Sequence, residues 1–204
     1  MTKRNIELEL RAEVDSKEYS KLLKNLKKNA KFISYTERLS VMYFGKIENN
    51  KFDIRIRVTN GKAEVAVKKG SLHAEDRVEL TQQINKNQFM GMVGIYNLFN
   101  FDCEVAERKT YNFYLGNKVT FSLVSAGEIS YVEIEKMSTK EEVEKNRNEL
   151  IKIIDSYGLK LISSERQFHE LCNRLSESYD WKFKGTAENN KKLKKLLKKY
   201  FKSS

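Results

Sequence analysis

Ile6-Glu7-Leu8-Glu9-Leu10-Arg11 is the stretch whose reading decides the fold. Apolar and charged residues alternate without a break. As a strand it places Ile6, Leu8 and Leu10 on one face and Glu7, Glu9 and Arg11 on the other. Tyr131-Val132-Glu133-Ile134-Glu135-Lys136 repeats the pattern, with Val132 and Ile134 opposite Glu133 and Glu135. Two strands that each offer two carboxylates on one face suit a divalent cation. Two half-buried strands with solvated glutamates would carry the same pattern, so the intervening residues must decide.

Working outward, Asp15-Ser16-Lys17-Glu18 has the form of a capping box, and Tyr19, Leu22, Leu23 and Leu26 follow at helical spacing. Strand-like segments come next at 38–48, 51–60, 62–69 and 75–83, punctuated by Asn49-Asn50, Asn60-Gly61 and Gly70. Asn60-Gly61 is a strong type I′ hairpin signal. A helix over 86–99 carries Phe89, Met92, Val93 and Tyr96, and three more strands are expected near 103–115, 118–125 and 129–137. Thr139 with Glu142 forms a second capping box, opening a helix through Val143, Leu150, Ile153 and Ile154 to Gly158. Ser164 with Gln167 opens a last well-formed helix bearing Phe168, Leu171, Cys172 and Leu175. The expected fold class is α+β: an eight-stranded antiparallel β-barrel with helices packed on the outside. Residues 1–180 form the expected domain, and 181–204 a basic amphipathic tail.

The charged faces continue through the middle strands. Arg55 and Arg57 alternate with Ile54, Ile56 and Val58; Lys68 lies opposite Val65 and Val67; Arg77 and Glu79 lie opposite Val78 and Leu80. Arg108 sits on the face away from Val105, Tyr111 and Phe113. The wet side of an antiparallel sheet would also be charged. Two arguments favour an enclosed charged face instead. Three amphipathic helices need an apolar sheet face to cover, and the signs are sorted, acid on the first and last strands and base between them. Enclosed arginines facing carboxylates are costly unless a ligand is their purpose. Arg forks and a Lys suit phosphate oxygens, and the carboxylates suit Mg²⁺ or Mn²⁺. The ligand these residues imply is a metal-bound polyphosphate, and three phosphates fit the number of basic groups better than a monoester.

The ordered set resembles the CYTH superfamily, the triphosphate tunnel metalloenzymes that include the CyaB and thiamine triphosphatase types. Glu7-x-Glu9-x-Arg11 stands as the opening motif, Arg55-x-Arg57 as the R-x-R strand, then Lys68, Arg77-x-Glu79, Arg108 and the closing Glu133-Ile134-Glu135. The resemblance covers about residues 4–175. It implies a triphosphate tunnel in which Glu7, Glu9, Glu133 and Glu135 hold Mg²⁺ or Mn²⁺. It assigns Arg11, Arg55, Arg57, Lys68, Arg77, Arg108 and, before the last helix, Arg166 to substrate phosphates. Glu7, Glu9, Arg11 and Lys68 are the expected catalytic residues. The implied reaction is hydrolysis of the terminal phosphate of inorganic tripolyphosphate, a nucleotide or an RNA 5′-triphosphate. The alternatives are a class IV-type adenylyl cyclase releasing pyrophosphate, or a nucleotide- or RNA-binding member with little catalysis. Arg11 where bacterial members use Lys, Ser122 near a common Asp position, and Ala106 two before Arg108 depart from the pattern.

Composition bounds the rest. The chain of 204 residues is 40% hydrophobic and 33% charged, enough for a sizeable core. Proline is absent. Cys103 and Cys172 match no metal spacing and read as free thiols of a reducing compartment. With no signal-like or membrane-spanning apolar run, the expected location is cytoplasmic. The net charge is +11, but seven lysines fall in residues 191–204, leaving the remainder only mildly basic. In that tail Leu193, Leu196, Leu197, Tyr200 and Phe201 share one helical face. It is expected either to dock on the barrel or to contact nucleic acid or an anionic surface. His73 and His169 have no nucleophile at a useful spacing, and Trp181, beside Tyr179 and Phe183, reads as part of a packing cluster.

Overall fold

The structure is a computed structural model that describes residues 6–70, 78–116 and 118–202, without the side chains of Ile6, Glu7 and Val78. In chain order the elements are β1 (Ile6–Val14), α1 (Ser16–Asn29), β2 (Lys31–Ile47), β3 (Asn50–Thr59), β4 (Lys62–Lys69), β5 (Val78–Ile84) and α2 (Phe89–Asn97). They continue with β6 (Asp102–Leu115), β7 (Val119–Ala126), β8 (Ile129–Ser138), α3 (Val143–Ser156), β9 (Lys160–Leu161), α4 (Glu165–Ser178), β10 (Trp181–Lys182) and α5 (Ala187–Tyr200). The architecture is mixed α+β, with a ten-stranded sheet of antiparallel ladders ordered β5-β4-β3-β2-β6-β7-β8-β1-β9 and β10 on β6.

The eight expected strands are the eight long ones, and two two-residue strands complete the sheet. Closure is a point of difference. The order ends at β5 and β9, and no ladder joins these ends among the described residues. The sheet remains consistent with the barrel-like tunnel that the resemblance implies.

The chain divides into two compact units. The described parts of one lie in residues 6–36 and 109–172, and those of the other in 37–70, 78–108 and 173–202. Strands β2 and β6 contribute residues to both. In the first unit the apolar residues of β1, β7 and β8 pack against α1 and α3. Leu8, Leu26, Phe121, Ile134, Leu150 and Ile154 are all fully buried there. Burying each such side chain is worth about 1.5–3 kcal/mol, which fixes which sheet face the helices cover. In the second unit Leu39, Val41, Tyr43, Ile56 and Val58 pack with Phe89 and Val93 of α2 and with Leu193, Leu197 and Tyr200 of α5.

Local signals were obeyed where their chemistry is local. Asp15 accepts from the backbone of Lys17 and Glu18 while Glu18 caps Asp15 in return. Asn60 and Gly61 have φ of 45° and 80°, as a type I′ turn requires. Gly158 ends α3 at φ 68°. Other boundaries moved. Thr139 bonds Glu142 within a turn, and α3 begins only at Val143. β2 begins at Lys31 rather than near 38, because Ser34 and Tyr35 find partners in Asn112 and Tyr111 of β6. The helix expected over 86–99 is a 3₁₀ turn followed by the shorter α2.

Helix α4 also differs from the exterior position expected for every helix. Leu171 and Leu175 are buried, yet neither belongs to an apolar cluster of its unit. In the first unit Phe168 of α4 lies instead against Arg11, on the charged face of β1. In the second unit Ser176 donates to Glu104 of β6 at 2.8 Å.

Candidate functional site

The ladder between β1 and β8 brings the two glutamate motifs together. Glu9 pairs in register with Glu135, and Arg11 with Glu133. Because one face of both strands is buried against α1 and α3, a slip of one residue would expose the whole apolar set, so this register is tightly specified. Carboxylate oxygens of Glu9, Glu133 and Glu135 lie within 4.8 Å of one another on the opposite, partly buried face. Arg11 is ion-paired with Glu9, and its Nε donates to Glu133 Oε1 at 3.3 Å. Its guanidinium stands 4.9 Å from the centre of the Phe168 ring, a cation–π distance. Burial opposes the charge on Arg11, but Glu9, Glu133 and Tyr131 outweigh it and hold the guanidinium above its ordinary pKa.

Three carboxylates against one guanidinium leave these four residues net negative. Carboxylate oxygens this close together suit a hard divalent cation. The side chain of Glu7 lies outside the described residues; its backbone pairs with Met137. Ser122 sits beside Glu133 in the β7–β8 register and donates to Asn112 Oδ1 at 2.8 Å, and Asn112 in turn donates to Ser34 at 3.0 Å. Ser122 therefore extends a neutral polar chain where an Asp would have added a fourth charge.

Arg55, Arg57, Lys68 and Arg108 of the second unit are each held by an acid. Arg55 grips Asp53 with two hydrogen bonds, of 2.9 and 2.7 Å. Arg57 Nε donates to Glu64 at 2.6 Å and its Nη2 reaches Glu79 at 3.5 Å, while Lys68 Nζ is 2.8 Å from Glu79. Burial raises the Glu79 pKa, but Lys68, Arg57 and Arg55 together hold it below the usual carboxylate range. Arg108 makes a bidentate pair with Asp180 at 2.6 and 2.7 Å. The expected sorting of charge thus holds for β1 and β8 but not here: Asp53, Glu64 and Glu79 offset Arg55, Arg57 and Lys68 on the same face. Asp53 could have been found from its spacing of two from Arg55. Asp180, in the turn after α4, had no such signal.

Arg77 lies outside the described residues. Arg166 points to solvent with its side chain 86% exposed, paired only loosely with Glu170 at 3.5 Å. Arg38, not singled out from sequence, lies on the same face as Arg57 and donates to Thr59 at 2.9 Å. Cys103 is buried against Tyr43, and burial pushes its thiol up to about 12, the wrong direction for a nucleophile. No described helix is long and apolar enough to cross a membrane.

No protein-family model matches the chain, and no curated protein matches it. Solved structures do. The PH1012 protein of Pyrococcus horikoshii OT3 aligns with 76% of this chain and 92% of its own, at 22% identity and TM-score 0.60. An adenylate cyclase candidate from Vibrio parahaemolyticus aligns over 82% and 98%, at 12% identity and TM-score 0.60. The Hippeastrum protein HpAC1, an adenylyl cyclase candidate with a dominant triphosphatase activity, aligns over 84% and 96%, at 14% identity and TM-score 0.51. Agreement over nearly the whole length of each, at identities this low, is agreement of fold.

Proposed function

We propose that this protein is a metal-dependent phosphohydrolase that removes the terminal phosphate of a triphosphate. The observation that carries the reading is the cluster of Glu9, Glu133 and Glu135, with oxygens within 4.8 Å and Arg11 fixed among them. The resemblance to the CYTH superfamily, the fold shared with HpAC1 and that protein's triphosphatase activity support it. Glu9, Glu133 and Glu135, with Glu7 as a further proposed ligand, would hold Mg²⁺ or Mn²⁺. Bound there, the ion supplies a water of lowered pKa and neutralises phosphate charge.

The chain's own residues do the rest. Arg11 cannot swing away while Glu9 and Glu133 hold it, so its fork is preorganised for a phosphate oxygen. Phe168 covers its face and keeps water from competing. Arg55, Arg57, Lys68 and Arg108, with Arg77 and Arg166, are proposed phosphate contacts from the resemblance. For the first four, a phosphate must displace or share the carboxylate already bound. We assign the activity to residues 1–180; residues 181–204 add the basic helix α5, whose apolar side packs into the core of the second unit.

The test is incubation with tripolyphosphate, ATP, thiamine triphosphate and 5′-triphosphate RNA, each with Mg²⁺ or Mn²⁺, quantifying phosphate, pyrophosphate and cyclic AMP. Phosphate release should fall by about a hundredfold or more in Glu9→Gln and Glu133→Gln. Pyrophosphate with cyclic AMP would replace hydrolysis by cyclisation, and equal phosphate release from both variants would remove the cluster from the chemistry.

A further inference from the structure

We infer that the outer face of α5 is a contact surface for the phosphate backbone of nucleic acid. The helix is amphipathic in an unusually one-sided way. Its apolar side is consumed by the protein's own core: Leu193, Leu197 and Tyr200 are 0, 6 and 2% exposed, and Tyr200 is further tied to Glu107 by a 2.7 Å hydrogen bond. At 3.6 residues per turn, Lys191, Lys194, Lys195 and Lys198 fall on a single stripe opposite that apolar side. All four are exposed. The stripe runs about 11 Å along the helix at its 1.5 Å rise per residue.

These four lysines pair with no acid among the described residues. Others near them are accounted for: Lys192 covers the Trp181 ring at 4.0 Å, and Lys199 lies 3.4 Å from Glu107. Acid on the helix is limited to Glu188 in the first turn, where the helix dipole favours it. The same dipole favours Lys198 in the last turns but not Lys191, Lys194 or Lys195. Like charges four apart, as at Lys191 with Lys195 and Lys194 with Lys198, oppose the helix they sit on. Folding therefore does not explain the stripe, whereas an anionic partner would.

The nature of that partner follows from what the face lacks. A membrane-surface helix binds by burying its apolar side among the lipids, and here that side is already buried in protein. A protein partner would meet a face with no apolar centre, whereas the cores of such interfaces are depleted of lysine. A row of exposed cations along one helix face matches a linear polyanion, and Lys192 occupies the ring of Trp181, so the contact reads phosphates rather than bases.

The experiment is fluorescence anisotropy of the full chain with a labelled single-stranded RNA bearing a 5′-hydroxyl, which offers no triphosphate. Binding is titrated over about 50 to 200 mM salt. In the variant carrying Lys191→Gln, Lys194→Gln, Lys195→Gln and Lys198→Gln, the slope of log K against log salt should shrink by about three, at about 0.7 per phosphate contact. The four corresponding Lys→Arg changes should keep binding. Tripolyphosphate hydrolysis should be unchanged in both variants, so failure here is separable from failure of the proposed reaction. The inference is overturned if wild type does not bind the RNA, or if the Gln variant keeps the full slope. It is also overturned if phosphatidylserine vesicles bind as tightly as RNA and lose binding in the same variant.

Discussion

Arg108 offers a sharp prediction, because the family pattern and the geometry give it different work. The resemblance makes it a phosphate contact, while the structure closes its fork on Asp180, whose side chain is only 3% exposed against 15% for Arg108. Replacing Arg108 by Met keeps the unbranched apolar stem but leaves a buried carboxylate without its cation. Removing one partner of such a pair costs about 3–5 kcal/mol, most of it the penalty of the charge left behind. For a chain of this size each kcal/mol moves the melting temperature by about 2–4 °C, so a fall of about 6 °C or more is expected. Asp180→Asn retains two hydrogen-bonding positions and should cost less. The assay is urea and thermal unfolding followed by circular dichroism on Arg108→Met, Asp180→Asn and the double variant. The double variant should be more stable than additivity predicts by about 1–3 kcal/mol. Arg166→Met serves as the control, since the Arg166–Glu170 pair is exposed on both sides and should contribute about 0–1 kcal/mol. If Arg108→Met costs no more than Arg166→Met, or the two changes at 108 and 180 simply add, the clamp is not structural. Arg108 would then be read as a phosphate contact, as the resemblance implies.

Three further outcomes follow from the same coordinates. Mn²⁺ should raise the melting temperature of wild type by binding the folded cluster, and Glu135→Gln should abolish that rise, as read by differential scanning fluorimetry. The depressed pKa of Glu79 means that its stabilising contribution is complete above the ordinary carboxylate range and is lost as pH falls through its lower folded value. Wild type should therefore lose more stability than Glu79→Gln on acidification below about pH 4.5, in parallel urea titrations. With Cys103 buried and its thiol raised to about 12, a thiol reagent at pH 8 should modify Cys103 only after denaturant is added, as peptide mapping would show.

What could be read from the chain and what could not divide along a physical line. Alternation in Ile6–Arg11 and Tyr131–Lys136 placed Glu9 and Glu133 on charged faces, because the side-chain period of a strand is a local property. The capping box at Asp15, the turn at Asn60-Gly61 and the glycine at 158 were legible for the same reason. The α+β class and the eight long strands followed from such signals taken together.

Cross-strand register, which set Glu9 opposite Glu135 and Arg11 opposite Glu133, depends on packing of both strands against α1 and α3. The fate of the basic residues depended on partners distant in sequence. Arg57 meets Glu79 across two strands, and Arg108 meets Asp180 from a turn after α4. Phe168 had been read as part of an ordinary apolar stripe, yet it covers Arg11. The sequence alone determined which residues carry charge and which face of each strand bears it, since both are set within a few residues. Only the tertiary structure decided which charges neutralise each other, because a salt bridge is a property of distance in space.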